Sequence, residues 1–246
     1  MKIILLLILS TNPDIATLTD ANNLYNKGQY DASIEKYENL INKGVANHVI
    51  YYNLGNCYFK LGKFGNAVYF YKKAQRLAPG DHDINYNLDF VRSRLTDNLK
   101  TSQYPKFITS FIDFFTSLNV NFLSLFASIL YFLLVITIIM SLFKTRFPVK
   151  NYILGLFVAL FVVLVVFIIN FKTVNSREGV LIDNVAEVRS GPSEDYTLIF
   201  TIHEGMEMRI LDEQIRQTTG GQESWLKITL PGGLEGWLLA EKVKKL

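Results

Sequence analysis

The chain has 246 residues, half of them hydrophobic, which is a high share for a soluble protein. Its net charge of +3 does not indicate nucleic-acid binding, because the excess lies in the most apolar part of the chain: residues 122–172 hold four Lys or Arg and no acidic residue. The single cysteine, Cys57, excludes an intrachain disulfide, so the soluble parts depend on core packing. We therefore expect a membrane protein with soluble domains.

The N-terminus resembles a short signal peptide. Lys2 is followed by seven apolar residues, which are too few to span a membrane, and polar, helix-forming sequence begins soon afterwards. We predict a signal-peptide-like segment over residues 1–16, with Ala16 as a candidate for the cleavage position. The alternative is an N-terminal segment that packs against the next helix.

An internal repeat is visible after this segment. The residues Gly28, Tyr30, Ile34 and Tyr37 recur, at a constant offset, as Gly62, Phe64, Val68 and Tyr71. The central unit, "HVIYYNLGNCYFKLGKFGNAVYFYKKAQRLAPGD", resembles a tetratricopeptide repeat, in which two helices form a hairpin and hairpins stack on one another. The resemblance implies about two repeats and a capping helix over residues 17–96.

Side-chain size supports the pairing of helices within the central unit. Small residues let two helices approach closely, and large residues fill the gaps between them. The small residues are Gly55, Ala67 and Ala74, and the large ones are Leu54, Tyr58 and Tyr71. The second helix is expected to end before Pro79, which lacks a backbone donor.

The resemblance also implies a concave groove that binds an extended or helical peptide. The groove residues carried over from the family pattern are Asn22, Asn26, Tyr52, Asn56, Phe59, Lys60, Tyr86 and Arg94. Asparagines at equivalent positions of successive repeats could bind a peptide backbone, and Lys60 and Arg94 could hold a carboxylate. The alternative is an ordinary solvated face whose asparagines are required by the fold.

Two long apolar stretches follow the repeats. Residues 122–143 and 152–171 lack Asp and Glu and are each long enough to cross a bilayer, so we predict a two-helix transmembrane hairpin. Before it, "FITSFIDFFTSLN" has Phe and Leu at helical spacing, which predicts a helix in the membrane interface over residues 107–121. The alternative for this helix is an extension of the first span.

The linker between the spans, "FKTRFPVK", predicts the orientation of the hairpin. Lys144, Arg146 and Lys150 lie close together, and short basic loops stay on the cytoplasmic side. We therefore predict that residues 144–151 form a cytoplasmic loop, with both flanking regions in the periplasm. The alternative topology is the reverse, with both flanking regions in the cytoplasm.

The C-terminal part of the chain, residues 177–246, alternates apolar and polar positions between turn signals, which predicts a small β-barrel. The segments "AEVRSGPS", "EGMEMRIL", "SWLKITL" and "GLEGWL" resemble, in order, the strands and turns of bacterial SH3 domains. The resemblance covers this whole range and implies binding of peptides or of cell-wall stem peptides. Trp225 and Trp237 are the candidate ligand surface, although a Gly-Trp near the last strand usually packs the barrel.

No group of residues forms a catalytic pattern, so we predict no enzymatic activity, no cofactor and no metal. The closest pattern is "HEGME" at residues 203–207, which resembles a zinc-protease motif but lacks the second His. The predicted spans contain no ionisable residue, which argues against transport.

The predicted architecture is multidomain: an all-α tetratricopeptide repeat region, a two-helix transmembrane hairpin and an all-β SH3-like barrel. This order resembles the BatE-type proteins of the aerotolerance (Bat) operon. The resemblance implies an inner-membrane protein with membrane partners that carry von Willebrand A domains, and a link to stress tolerance or envelope integrity. We therefore expect a non-enzymatic scaffold that contacts protein partners and the lipid bilayer. The alternative is an envelope sensor that binds peptidoglycan through its SH3 domain.

Overall fold

The computed structural model describes residues 13–97, 120–141, 149–174, 177–218 and 221–246. It divides the chain into two compact units. One unit combines the N-terminal helices with the C-terminal strands, and the other contains two long apolar helices. The signal-peptide-like segment, the interfacial helix and the basic loop lie wholly or mostly outside the described residues.

The described N-terminal residues of the first unit form two helical hairpins and a closing helix. Their bounds are α1 Pro13–Asn26, α2 Tyr30–Asn42, α3 His48–Lys60, α4 Phe64–Leu77 and α5 His82–Arg92. The helix α1 therefore begins inside the segment that the sequence assigns to a signal peptide. Gly28 and Gly62, which follow α1 and α3, have φ of 76° and 73°, a backbone conformation that glycine adopts without steric cost.

The helical core confirms the packing predicted from side-chain size. Leu54, Ala67 and Ala74 are fully buried, and a Cβ atom at Gly55 would collide with the ring of Tyr71. The absence of a side chain at Gly55 thus lets α3 approach α4. Each large apolar side chain buried here contributes about 1.5–3 kcal/mol to the free energy of unfolding.

The described C-terminal residues form a curled antiparallel sheet. Its strands are β1 Glu178–Leu181, β2 Val185–Arg189, β3 Leu198–His203, β4 Glu207–Thr218, β5 Gly221–Thr229, β6 Glu235–Leu239 and β7 Val243–Lys245. Their spatial order is β3-β2-β6-β5-β4-β1-β7. Alternate residues point into one apolar core, as Leu226 and Ile228 of β5 illustrate.

The sheet and the helices of the first unit share buried apolar contacts. Val180 of β1 is fully buried and belongs to the same cluster as Val68 and Phe70 of α4. Leu246, which follows β7, packs against the same cluster. The two parts therefore form one compact unit.

The second unit contains α6 Val120–Ser141 and α7 Val149–Val174, which pack against each other. Among the described residues, one helix, Leu123–Ser141, is long and apolar enough to cross a membrane. The described apolar stretch of α7, Tyr152–Ile168, is shorter than a membrane span requires. The second crossing therefore stays a prediction.

Candidate functional site

A pocket of about 330 Å³ lies on the helical repeats between α3 and α5, with α4 behind them. It is lined by Tyr25, Tyr52, Asn56, Phe59, Lys60, Tyr71, Tyr86, Asn87, Phe90 and Val91. Five of the predicted groove residues are therefore brought together: Tyr52, Asn56, Phe59, Lys60 and Tyr86. Six of the ten lining residues are aromatic, so the pocket offers aromatic rings together with polar groups.

The aromatic rings of this groove contact one another. The ring of Phe59 lies 5.7 Å from that of Phe90, and Tyr86 stacks on Phe90 at 6.4 Å between ring centroids. Tyr86 nevertheless keeps 62% of its surface exposed, and Phe90 keeps 38%. Exposed aromatic rings of this kind are typical of surfaces that bind a partner rather than of a solvated helix face.

The charge of the groove is positive. Lys60 lines it, the guanidinium of Arg94 lies 5.1 Å from the centroid of the Phe90 ring, and no acidic residue is among the lining residues. The side chain of Arg94 thus lies beside the groove, although Arg94 does not line it. A carboxylate of a bound ligand would find these two cations at the edge of the aromatic surface.

The repeated asparagines form hydrogen bonds within the fold, which agrees with the alternative interpretation of the sequence. Asn56 Oδ1 accepts hydrogen bonds from Tyr71 Oη at 2.6 Å and from Asn87 Nδ2 at 3.1 Å. Burial raises the pKa of Tyr71, so its phenol stays protonated and remains a donor at neutral pH. The carbonyl of Asn56 therefore joins α3 to α4 and α5, and the binding of a peptide backbone by Asn56, which also lines the pocket, stays a prediction.

The same arrangement occurs one repeat earlier. Asn22 Oδ1 accepts from Tyr37 Oη at 2.5 Å and from Asn53 Nδ2 at 3.3 Å, and all three residues lie one repeat length before their counterparts. Asn22 and Asn26 do not line the pocket. The recurrence of Tyr and Asn at a constant offset is the pattern in the sequence that indicates these contacts.

The two tryptophans differ from the expectation drawn from sequence. Trp225 has 2% of its surface exposed, and its Nε1 donates to Glu223 at 3.2 Å, so its prediction as a ligand surface is corrected. Trp237 is half-buried on β6, where its neighbours in register are Arg189 of β2 and Lys227 of β5. Of the two, Trp237 is the one that solvent reaches.

The segment "HEGME" binds the sheet to the helices. Glu204 Oε1 accepts from the Gly65 N–H at 2.8 Å, and Asp97 accepts from the His203 N–H at 2.6 Å while its other oxygen lies 2.9 Å from His203 Nδ1. Gly205 adopts φ of 84°, and Leu95 fills the space that its Cβ would occupy. The resemblance to a metalloprotease motif is accidental, and these residues form an internal interface.

Glu207 is a largely buried charge of this interface. Its carboxylate accepts from Lys72 Nζ at 2.7 Å and from Arg92 Nε and a terminal guanidinium nitrogen of Arg92 at 2.7 and 3.0 Å. Burial opposes ionisation of Glu207, but Lys72 and Arg92 outweigh that effect and lower its pKa to about 2. Glu207 is thus ionised at neutral pH and holds two helices at once.

Lys244 adds a hydrogen bond and cation–π contacts to this interface. Its Nζ donates to Asn66 Oδ1 at 2.7 Å and lies 5.3–5.7 Å from the ring centroids of Tyr58, Tyr69 and Phe70. Burial lowers the pKa of Lys244, which indicates a desolvated cation over aromatic rings. Sequence reasoning missed this interface because its partners lie far apart in the chain and follow no local pattern.

The basic residues that predict the membrane topology lie in the linker between α6 and α7 and at the start of α7. Lys144 and Arg146 lie outside the described residues, and the side chain of Lys150 is not among those described. Within the ranges that the structure describes, no three His, Cys, Asp or Glu side chains lie close enough to hold a metal ion.

Comparison with known families agrees with this geometry at both ends of the chain. A family model for the tetratricopeptide repeat matches residues 48–81, which include α3, α4 and the Asn56 side of the pocket. A model for the bacterial SH3 domain matches residues 184–244, which extend from β2 into β7. No curated protein matches the chain as a whole. The chain therefore contains a tetratricopeptide repeat in its N-terminal helical region and a bacterial SH3 domain at its C-terminus.

Proposed function

We propose that this protein is a non-enzymatic scaffold of the inner membrane whose repeat groove binds other proteins. The observation that carries the proposal is the aromatic, positively charged pocket between α3 and α5. Tetratricopeptide repeats and SH3 domains both serve protein–protein interaction, which agrees with a binding function. The proposal extends this to a membrane-anchored assembly factor.

The chemistry of the groove favours one class of partner segment. Exposed rings at Tyr86 and Phe90 match an apolar or aromatic side chain, and Lys60 with Arg94 matches an adjacent carboxylate. The proposed ligand is therefore a peptide segment that places an aromatic residue beside Asp, Glu or a free C-terminus.

The compactness of the first unit supports the predicted membrane topology. Residues on both sides of α6 and α7 belong to one unit, so they must lie in the same compartment. If α6 crosses the membrane, α7 must cross back. With 26 residues at about 1.5 Å per residue, α7 as a whole exceeds the roughly 30 Å hydrocarbon thickness of a bilayer, whereas its described apolar stretch, Tyr152–Ile168, is shorter than that. The basic residues between the helices favour a cytoplasmic linker, with the repeats and the SH3 domain in the periplasm.

The resemblance to BatE-type proteins supplies a candidate for the assembly. On this proposal the partners are membrane proteins that carry von Willebrand A domains, in a complex linked to stress tolerance or envelope integrity. This part of the proposal depends on the order of the domains and on the resemblance, whereas the groove depends on the geometry of the repeats.

The first experiment is affinity purification of tagged full-length protein in detergent, read by mass spectrometry. Tyr86→Ala/Lys60→Ala removes the exposed ring and the cation of the groove without touching the Asn56 contacts. Lys36→Ala, at an exposed position of α2, is the matched control. We expect discrete membrane proteins to be lost from the groove variant and kept by the control. Equal recovery from both variants would refute the proposal.

A second candidate function is peptidoglycan binding by the SH3 domain. It is favoured by the family match over residues 184–244 and by the half-buried Trp237 between Arg189 and Lys227. The test is co-sedimentation of the full-length protein with purified cell wall. Loss of sedimentation in Trp237→Ala, but not in Tyr86→Ala, would support this function. An absence of sedimentation by the parent protein would exclude it.

A further inference from the structure

The helix α5 contacts the groove with one set of side chains and the SH3 domain with another. Tyr86, Phe90 and Val91 line the groove, whereas Arg92 binds the carboxylate of Glu207 from the SH3 domain. The lining residue Val91 and the clamped residue Arg92 are neighbours in the chain. A shift of the α5 backbone at Arg92 therefore also shifts Val91, which lines the groove.

The helix α4 repeats this arrangement. Tyr71 lines the groove and donates to Asn56, and the next residue, Lys72, binds the same carboxylate of Glu207. One carboxylate thus joins α4 to α5 at the side of the helices away from the pocket. Lys72 also pairs with Glu178 at 3.0 Å, and Gly65 of α4 donates to Glu204, so three acids of the C-terminal part hold α4, whereas Glu207 holds α5.

The burial of this carboxylate gives the contact its strength. The side chain of Glu207 is 17% exposed, and both of its oxygens accept hydrogen bonds from cations. The charges around it are Lys72 and Arg92, with Glu178 and Asp89 as the nearby acids of the same network. Removal of one partner from such a network leaves a desolvated charge, which makes the remaining arrangement unfavourable.

We propose that Glu207 is a positioning residue for the groove: by clamping Lys72 and Arg92 it fixes α5 against α4 and keeps the pocket in its binding shape. This inference rests on the proposed function of the groove. It makes the SH3 domain a structural part of the binding site, through α5, although the SH3 domain does not line the pocket.

The test uses full-length protein in detergent and compares Glu207→Gln with Glu235→Gln. Glu235 is an exposed acid of the same domain that pairs with Lys227 at 3.6 Å. Amide hydrogen exchange measures the opening of α5, and affinity purification measures recovery of the proteins whose capture requires Tyr86 and Lys60. Arg92→Gln serves as a second variant, because it releases α5 while it leaves the Lys72–Glu207 and Lys72–Glu178 pairs intact.

We expect exchange over residues 82–92 to rise about tenfold or more in both clamp variants, with no change over α1 and α2 and none in Glu235→Gln. Recovery of the groove-dependent partners should fall at least about fivefold in the same two variants. Unchanged exchange in α5 would overturn the inference, and so would faster exchange with full recovery of partners. If Tyr86→Ala/Lys60→Ala itself keeps all partners, the proposed function fails, and that result is distinct from a failure of the clamp.

Discussion

At the scale of single residues, a repeated hydrogen-bonded triad holds the helices of the repeats together. Asn56 accepts from Tyr71 and Asn87, as Asn22 does from its counterparts one repeat earlier. Because Tyr71 is almost fully buried, its hydroxyl cannot exchange this partner for water. The triad therefore explains why Tyr and Asn recur from one repeat to the next independently of any ligand.

The triad predicts the effect of Tyr71→Phe. Loss of the hydroxyl leaves Asn56 with one donor fewer and should lower the free energy of unfolding by about 1 kcal/mol. Tyr86→Phe, at an exposed position with an intact ring, should leave it unchanged. Thermal unfolding of the two variants in the same detergent measures the difference. Equal midpoints for Tyr71→Phe and the parent protein would show that the triad is not stabilising.

Gly65 is a second single residue, and the fold requires that it has no side chain. A Cβ atom there would collide with the carbonyl oxygen of Leu181 and with the side chain of Glu204. Gly65→Ala should therefore separate the SH3 domain from α4, although alanine favours a helix. Its control is Gly80→Ala, where the structure leaves open space. Limited proteolysis should cut Gly65→Ala faster than the control, and equal rates would contradict the interface.

At the scale of elements, the start of β4 stabilises α4 and α5 through a charge. Because the pKa of Glu207 is lowered from 4.5 to about 2, its ionised form contributes up to about 3 kcal/mol to the folded unit. For a carboxyl group with a depressed pKa, this contribution is complete above pH 4.5 and is lost as the pH falls toward 2.

This sign predicts a pH-dependent difference between two proteins. The stability gap between the parent and Glu207→Gln should stay constant from pH 7 to about pH 5 and shrink below about pH 4. Unfolding midpoints measured for both proteins across this range isolate Glu207, since the other titrating groups are common to both. A gap that grows as the pH falls would contradict the assigned pKa direction.

At the scale of the whole molecule, the shared core of the repeats and the SH3 domain restricts how the chain can cross a membrane. Two segments in one compact unit cannot lie on opposite sides of a bilayer, so an even number of crossings must separate them. If α6 crosses the membrane, we expect a second crossing to return the chain to the side of the repeats, because Val180 lies in the helical core.

Cysteine labelling in spheroplasts tests this topology. Lys36→Cys and Glu241→Cys, at exposed positions of the repeats and of the SH3 domain, should both react with an impermeant maleimide. Thr145→Cys, in the linker, should react only after lysis. The parent protein is the control, because Cys57 is buried and burial raises the pKa of its thiol. Labelling of only one of the two exposed positions would refute the shared compartment.

The local pattern of the chain was sufficient to predict its elements. Helical periodicity, the internal repeat and the alternation of apolar residues after Gly179 are local properties, so they predicted the helical hairpins and the antiparallel strands, and the family resemblance of the repeats supplied five of the ten pocket-lining residues. The interface was not predictable in this way. Gly65, Lys72 and Arg92 meet Glu204 and Glu207 from distant parts of the chain, and such contacts depend on how two finished surfaces pack. The burial of Trp225 and the role of "HEGME" depended on that packing as well, since a residue's neighbours in space are not encoded by its neighbours in sequence.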